Sequence, residues 1–159
     1  MSNIVPIDNG ALPQRASDYD SKSQFLTVSI NNQIFGIPVL KVRDALKPVP
    51  ITNIPLSKPE ILGYMNLRGR IVTVIDVRKR LNQPAIENGE KQMFIVVEYK
   101  DELYSLLVDK VGDAKTIPYK GFEKVPSNLS PNWAQVSRGV FKLDEGLMLV
   151  LDIDSLLEI

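Results

Sequence analysis

Two aspartates, Asp76 and Asp152, are the residues of this chain best placed for acid–base chemistry. A pair of carboxylates can divide the roles of general acid and general base, and a single aspartate such as Asp76 can accept a phosphate. Each of the two also stands where an apolar strand gives way to a helical turn. A carboxylate at such a junction accepts hydrogen bonds from free backbone N–H groups. We therefore interpret Asp76 and Asp152 as helix caps.

Most other catalytic groups are missing, because the chain contains no histidine and no cysteine. Their absence excludes histidine-based acid–base catalysis, Ser-His-Asp and Cys-His arrangements, and almost every zinc site. The glycine-containing stretch from Gly63 to Arg70 lacks the lysine and hydroxyl residue that end a Walker A loop, which disfavours nucleotide binding. We predict a protein that is not an enzyme, needs no cofactor or metal, and works by binding other proteins.

One arginine stands out among the basic residues. Arg68 lies between Leu67 and Gly69 at a predicted hairpin tip, where its rigid fork of donors could bind a carboxylate or carbonyl of a partner. The alternative is a solvated basic face formed with the basic residues that follow, namely Arg70, Arg78, Lys79 and Arg80. The only tryptophan, Trp133, follows a proline turn and is predicted to close one end of a barrel rather than to bind a ligand.

The composition indicates a soluble globular protein, and the length allows one domain or two small lobes. The chain has 159 residues, of which 44% are hydrophobic, and its 19 basic residues balance its 19 acidic ones. This balance removes the positive field that nucleic-acid or anionic-membrane binding usually needs. No apolar run reaches the roughly 20 residues that span a bilayer, so we expect no membrane insertion and a cytoplasmic location. Residues 1–22 have no sustained period and are predicted to form a flexible tail, followed by a domain over residues 23–159.

Two hairpins are predicted, and they correspond to each other. The first pairs residues 25–30 with 33–37 around Asn31 and Asn32, and the second pairs 94–99 with 103–108 around a polar turn at 100–102. A shift of 69 positions superposes them. A shift of 76 superposes two later segments, 63–81 and 139–157, so that Asp76 falls on Asp152. These matches predict an internal duplication.

The duplication predicts a mostly β fold with short helices. Few antiparallel strands bury their edges unless they close, so each half is expected to curl into a small barrel, with a groove between the two barrels. Residues 82–92 are the natural link between the halves. The proline-rich stretch 47–59 is expected to be an edge strand or an extended connector. Residues 38–46 are predicted to contain a helical turn that could offer Val42 and Ala45 to a partner helix, with Asp44 supplying charge selectivity.

Two stretches carry a family resemblance. From Gly63 to Arg78 the chain has an Asn-Leu-Arg-Gly core followed by an apolar strand and an aspartate, and from Phe35 to Asp44 it reads Phe-Gly-Ile-Pro-Val-Leu-Lys-Val-Arg-Asp. In combination these stretches resemble the CheW chemotaxis coupling proteins, and the resemblance covers residues 25–157. One departure is Thr73, where many relatives carry a proline; threonine restores a backbone donor to the strand.

The resemblance implies two intertwined five-stranded SH3-like barrels. It also implies a scaffold that couples methyl-accepting chemoreceptors to the regulatory domain of the histidine kinase CheA, in receptor arrays at the inner membrane. Carried over residue by residue, it implies that the receptor tip docks at Val42, Asp44, Ala45, Asn66 and Arg68. It implies that the kinase contacts Ile51, Thr52 and Gly63.

Three other functions can be weighed against this one. An adaptor for a pilus, twitching or other chemosensory pathway would share the fold and the groove, and the sequence does not separate the two uses. An enzyme or nucleotide-binding regulator is disfavoured by the missing histidine, cysteine and phosphate loop. A coupling protein with a phosphoacceptor domain would need an additional α/β domain, for which 159 residues leave no room.

Overall fold

The computed structural model describes residues 22–86 and 91–158. The predicted tail lies outside the described residues except for Lys22, where the first strand begins, and residues 87–90 of the predicted link also lie outside them. The strands are β1 (Lys22–Ile30), β2 (Gln33–Pro38), β3 (Val42–Leu46), β4 (Ile61–Leu67), β5 (Arg70–Asp76), β6 (Met93–Tyr99), β7 (Glu102–Val108), β8 (Lys110–Pro118), β9 (Ser137–Leu143) and β10 (Gly146–Leu151). The short α-helices are α1 (Val77–Arg80), α2 (Pro131–Ala134) and α3 (Ile153–Leu157).

Both predicted hairpins are confirmed. Asn31 and Asn32 join β1 to β2 with φ angles of 49° and 65°, the positive values that a two-residue hairpin turn needs. Lys100 and Asp101 join β6 to β7 with φ angles of 51° and 63°. The second turn was predicted to span three residues; it is one residue shorter because Glu102 already pairs with Tyr99 in the ladder.

The strands form two five-stranded sheets, and each sheet contains strands from both halves of the chain. The first sheet has the order β8-β1-β2-β10-β9, and the second has the order β3-β6-β7-β5-β4. The expectation that each half curls on itself is therefore wrong, because the two halves exchange their N-terminal hairpins. The intertwined arrangement implied by the family resemblance is the one observed.

The internal duplication is confirmed by the strand registers. Met148 lies opposite Ile34 in the first sheet. The shift of 76 residues relates Met148 to Val72, and the shift of 69 residues relates Ile34 to Leu103. Val72 and Leu103 lie opposite each other in the second sheet. The pairs β1–β8 and β3–β6 each contain an irregularity at the corresponding place. The two sheets are thus built on one plan, with the same partners and the same register.

Ion pairs connect the outer strands of each sheet, which agrees with the predicted barrels. In the second sheet Asp44 on β3 lies 3.1 Å from Arg68, in the turn that follows β4. In the first sheet Lys115 on β8 lies 3.0 Å from Glu145, in the turn that follows β9. Strands at the opposite ends of each sheet order are therefore brought together, as they are when a sheet curls upon itself.

The core is divided into a central part and one smaller part within each sheet. The central core combines buried residues of both sheets, such as Phe35 and Leu149 from the first and Ile95 and Leu106 from the second. One smaller cluster contains only residues associated with the first sheet, and the other belongs to the second sheet. The central core holds the intertwined sheets together by burying apolar surface between them.

Two segments differ in part from their predictions. The predicted helical turn over residues 38–46 is limited to a 3-10 turn at Val39–Lys41, and residues 42–46 form strand β3, because their backbone pairs with β6. The proline-rich stretch is the expected extended connector, and Thr52 makes an isolated bridge to Tyr64 on β4. Trp133 packs against the central core, with its ring centroid 5.3 Å from that of Phe35.

Candidate protein-interaction site

The tip of the β4–β5 hairpin presents an exposed arginine. Arg68 and Gly69 form the turn with φ angles of 51° and 84°, and the side-chain oxygen of Asn66 accepts a hydrogen bond of 2.9 Å from the N–H of Gly69. Glycine adopts a positive φ without steric cost, and the asparagine holds the turn in place. As a result the Arg68 side chain projects from the hairpin and is 77% exposed.

Arg68 is paired within its own chain. Its Nη2 lies 3.1 Å from Oδ2 of Asp44, whose other carboxylate oxygen accepts the N–H of Ala45 at 2.8 Å. The Asp44 side chain is 27% exposed, so the ion pair is open to solvent on the arginine side. An exposed pair of this kind contributes little to stability. Both side chains are therefore available to a partner at low cost to the fold.

A depression of about 230 Å³ lies beside this ion pair, at one end of the second sheet. Its apolar lining comes from Leu67, Val96 and Leu103, and its charged lining comes from Asp44 and three arginines, which are Arg43, Arg68 and Arg70. Arg43 also pairs with Glu98 at 2.9 Å. An apolar floor with a charged rim is typical of a site that accepts a protein side chain.

The five predicted receptor residues do not form one continuous surface. Asp44 lies opposite Val96, whereas Val42 lies opposite Val97 and Ala45 opposite Ile95. Because neighbouring residues of β6 point to opposite faces of the sheet, Asp44 belongs to one face and Val42 and Ala45 to the other. Val42 is half-buried against the central core, and Ala45 is exposed. The predicted helical seat is thus replaced by the two faces of an outer strand.

The three predicted kinase residues lie together. The N–H and carbonyl of Thr52 bond to the carbonyl and N–H of Tyr64 at 2.8 and 2.9 Å. Gly63 passes so close beneath this connector that a Cβ there would collide with the Thr52 carbonyl oxygen. Ile51 is half-buried against the core of the second sheet. These residues form one patch where the connector crosses β4.

The alternative of a solvated basic face holds for only part of the set: Arg68, Arg70 and Lys79 are exposed, whereas Arg78 and Arg80 are bound within the fold. Arg78 donates from Nε and Nη2 to the two carboxylate oxygens of Asp109 at 2.8 and 2.7 Å, and both side chains are nearly buried. The N–H of Asn31 donates to the same carboxylate at 2.7 Å. Arg80 donates to the carbonyls of Ser155 and Leu156 at 2.8 Å. These arginines connect elements that are distant in sequence and act in the fold.

Sequence reasoning missed Asp109, which is buried at the end of β7. Its signal was a single carboxylate directly after the apolar run Leu106-Leu107-Val108, a position where an ionised group needs a partner. A shallow polar depression of about 280 Å³ adjoins the Asp109–Arg78 pair, and its lining includes Asn32, Pro84 and Lys110. Through Asp109 the β1–β2 turn is thus connected to helix α1.

Both candidate catalytic carboxylates are helix caps, as predicted. Asp76 accepts the N–H of Lys79 at 3.3 Å, and Asp152 accepts the N–H of Ser155 at 3.3 Å and its hydroxyl at 2.9 Å. Among the residues that the structure describes, no group of three or more acidic side chains is arranged to hold a metal ion. In the same residues, no helix is both long and apolar enough to cross a membrane.

Tyr104, on β7 of the second sheet, has a shifted pKa. The pKa of Tyr104 is raised, first because its ring is partly buried and then because its hydroxyl is bonded to Glu102. The hydroxyl donates to Oε2 of Glu102 at 3.1 Å, and the ring lies 6.1 Å from that of Tyr99.

These features define a class of protein: a pair of intertwined β-sheets with exposed charged and apolar surface and without a catalytic arrangement in the described residues. The CheW-like domain family matches residues 24–159. Similar proteins include the chemotaxis protein CheW of Thermotoga maritima, 30% identical over 85% of this chain and 87% of its own, and that of Helicobacter pylori, 25% identical over 91% and 87%. The crystal structure of the scaffolding protein TtCheW from Thermoanaerobacter tengcongensis superposes with a TM-score of 0.79 at 26% identity, covering 87% of this chain and 94% of that one.

The chain therefore belongs to the CheW-like family, and it is a chemotaxis protein of the scaffold type rather than an enzyme.

Proposed function

We propose that this chain couples chemoreceptors to the histidine kinase CheA in receptor arrays on the cytoplasmic side of the inner membrane. The observation that carries the proposal is the Asp44–Arg68 ion pair, held by a glycine-containing turn beside an apolar-floored depression. Such a site presents both charges and apolar surface to a protein partner. A second patch, formed by Ile51 and Thr52 of the connector above the buried Gly63, supplies a separate place for a second partner.

The receptor tip is assigned to the surface around Arg68. The guanidinium can exchange Asp44 for a carboxylate of the receptor, since an exposed ion pair is weak and is readily replaced. Asn66 keeps the hairpin tip in the conformation that presents Arg68. Val42 and Ala45 lie on the other face of β3, so contact with all five predicted residues requires a partner that reaches around this outer strand.

The kinase regulatory domain is assigned to the connector patch. Thr52 and Gly63 lie where a proline-rich connector meets β4, and the described neighbours leave Thr52 exposed. Contacts with the two partners therefore fall on different parts of the second sheet. Where the states of the bound chain differ in their affinity for the two partners, the free energy of receptor binding depends on the state of the kinase, and the reverse follows by linkage. Repetition of these contacts in an array strengthens modest single affinities.

A binding experiment with Arg68→Glu tests the proposal. Purified receptor cytoplasmic fragments and CheA are each titrated against the parent chain and the variant. We expect Arg68→Glu to weaken receptor binding about tenfold or more, because a close charge pair is replaced by repulsion, and to leave CheA binding and cooperative unfolding unchanged.

Lys142→Glu is the matched control, because Lys142 is an exposed basic residue in the corresponding hairpin of the first sheet and makes the same charge change. It should bind both partners as the parent does. If the folded parent retains neither partner, the coupling proposal fails. If Arg68→Glu loses cooperative unfolding, Arg68 is a structural residue and the assigned receptor surface is wrong.

A further inference from the structure

The depression beside the Asp44–Arg68 pair has an excess of positive charge. Three arginines, Arg43, Arg68 and Arg70, line it together with one carboxylate, that of Asp44. Glu98 adds a second carboxylate through its pair with Arg43. Arg70 is exposed and belongs to none of the ion pairs formed within the described residues. Three positive charges therefore face two negative ones, which favours an occupant with negative charge.

The floor of the depression is apolar. Leu67, Val96 and Leu103 line it, and all three pack in the core cluster of the second sheet. An occupant that is only an anion would leave this apolar surface uncovered. The depression therefore fits a group in which carboxylates flank an apolar or aromatic side chain.

The segment just before β1 has this composition. The 21 residues that precede Lys22 contain three aspartates and a single arginine. Two of the aspartates flank an aromatic residue in the run Asp18-Tyr19-Asp20, which ends two positions before β1 begins. We call residues 18–20 the acidic run.

The start of β1 brings the acidic run within reach of the depression. Phe25 lies opposite Pro38 in an antiparallel pair, so the chain before Phe25 leaves in the direction that the chain after Pro38 takes. From Pro38 a 3-10 turn and the first residues of β3 lead to Asp44, a path of about 16 Å at the usual rise per residue. Tyr19 is equally far from Phe25 in sequence, and an extended chain covers about 20 Å over that length.

We propose that the acidic run binds in this depression, with the ring of Tyr19 on the apolar floor and the two carboxylates on the arginines of the rim. A short tether gives such a segment an effective concentration on the order of millimolar, so even a weak contact is occupied for much of the time. The bound run competes with the receptor contact assigned to Arg68, and this competition rests on the proposed coupling function. The chain thereby lowers its own affinity for the receptor.

Paramagnetic labelling tests the contact without any partner. The chain has no cysteine, so Ser17→Cys carries a single nitroxide label next to the acidic run. In the NMR spectrum of the full chain, we expect the label to broaden the amide signals of Leu67, Val96 and Leu103.

A charge change in the acidic run provides the comparison. Asp20→Lys in the labelled chain should reduce the broadening, because it places a positive charge against the arginines. Asp8→Lys makes the same charge change outside the run and should leave the broadening as in the parent. Equal broadening with and without Asp20→Lys would mean that the label is near only because it is tethered, and would overturn the inference. Broadening between chains, in a mixture of nitroxide-labelled and isotope-labelled copies, would make a second copy the occupant and would also overturn it.

Receptor binding tests the consequence. Asp20→Lys should bind a purified receptor cytoplasmic fragment about threefold more tightly than the parent, the factor for a run that covers the site about two-thirds of the time. Asp8→Lys should bind the fragment as the parent does, and both variants should bind CheA as the parent does. Equal tightening by Asp8→Lys would assign the effect to net charge and contradict the competition.

The contact of the acidic run and the coupling function can fail separately. If the contact is observed and Asp20→Lys leaves receptor binding unchanged, the acidic run occupies the depression and the receptor surface is assigned wrongly. If the parent binds the receptor fragment and the label broadens no signal of the depression, the inference is wrong and the coupling function stands. If the parent binds no receptor fragment, the coupling function fails, and the broadening alone decides the contact.

Discussion

At the scale of single residues, two arginines of the same segment have opposite surroundings. The side chain of Arg68 is 77% exposed, and its partner is the partly exposed Asp44. The side chain of Arg78 is 12% exposed and donates two hydrogen bonds to the carboxylate of Asp109. The sequence could single out Arg68, because a flanking glycine and a predicted turn are local signals. It could not separate Arg78 from a basic surface, because Asp109 lies 31 residues away and only the fold brings it near.

Loss of Arg78 should be costly. Among the described residues, Arg78→Ala leaves the buried Asp109 carboxylate with the N–H of Asn31 as its remaining hydrogen-bond donor. Removing one partner of a buried ion pair destabilises a protein by about 3 kcal/mol or more. We expect a loss of this size in the free energy of unfolding, measured by urea denaturation.

Arg43→Ala is the matched control for Arg78→Ala, because the Arg43–Glu98 pair is of similar length but its side chains are 46% and 33% exposed. Its loss should change the free energy of unfolding by about 1 kcal/mol or less. Equal effects of the two substitutions would show that burial of the Arg78 pair does not contribute to stability.

At the scale of elements, a close backbone contact explains why the glycine of β4 has a counterpart in β9. Gly63 and Gly139 correspond in sequence, and each lies beside a ladder irregularity at which a connector crosses the strand. A Cβ at Gly63 would meet the carbonyl of Thr52, and one at Gly139 would meet that of Glu123. The match of glycines was visible in the sequence, and its physical reason, the close approach of a second backbone, was not.

Gly63→Ala should weaken the fold through two effects. The φ of 148° is strained for alanine, and the added methyl collides with the connector. We expect a loss of about 3 kcal/mol or more in the free energy of unfolding, because strain and overpacking add. Thermal and urea unfolding of the variant measure this loss.

Gly146→Ala separates these effects, because Gly146 has a similar φ of 138° but nothing lies within 4 Å of the place of its Cβ. This control should lose about 1–2 kcal/mol from backbone strain alone. A Gly63→Ala variant no less stable than Gly146→Ala would contradict the close approach.

At the scale of the whole molecule, the exchange of hairpins makes the two halves depend on each other. The first sheet takes β1 and β2 from the first half and β8, β9 and β10 from the second, and the second sheet takes the complementary set. The central core likewise draws on both sheets. Neither half contains a complete sheet, so folding of each one requires the other.

Division of the chain between residues 86 and 91 tests this dependence. Each fragment alone should show no cooperative unfolding, because its strands lack the partners that form both the ladders and the central core. Mixed or co-expressed fragments should associate one to one and regain a cooperative transition, measured by circular dichroism and analytical ultracentrifugation. A single fragment that unfolds cooperatively as a monomer would contradict the intertwined fold.

The sequence by itself determined the local elements, the duplication, the capping role of Asp76 and Asp152, and the exposed position of Arg68. Each of these follows from neighbouring residues: strand periodicity, turn chemistry and helix caps act over a few positions. Strand patterns did not decide which hairpin joins which sheet, because exchanged and unexchanged hairpins form the same backbone hydrogen bonds and bury the same strand faces; the family resemblance implied the exchange, and the tertiary structure shows it. The tertiary structure alone decided that Val42 and Asp44 face opposite ways and that Arg78 meets Asp109, because these outcomes depend on a strand irregularity and on contacts between distant parts of the chain.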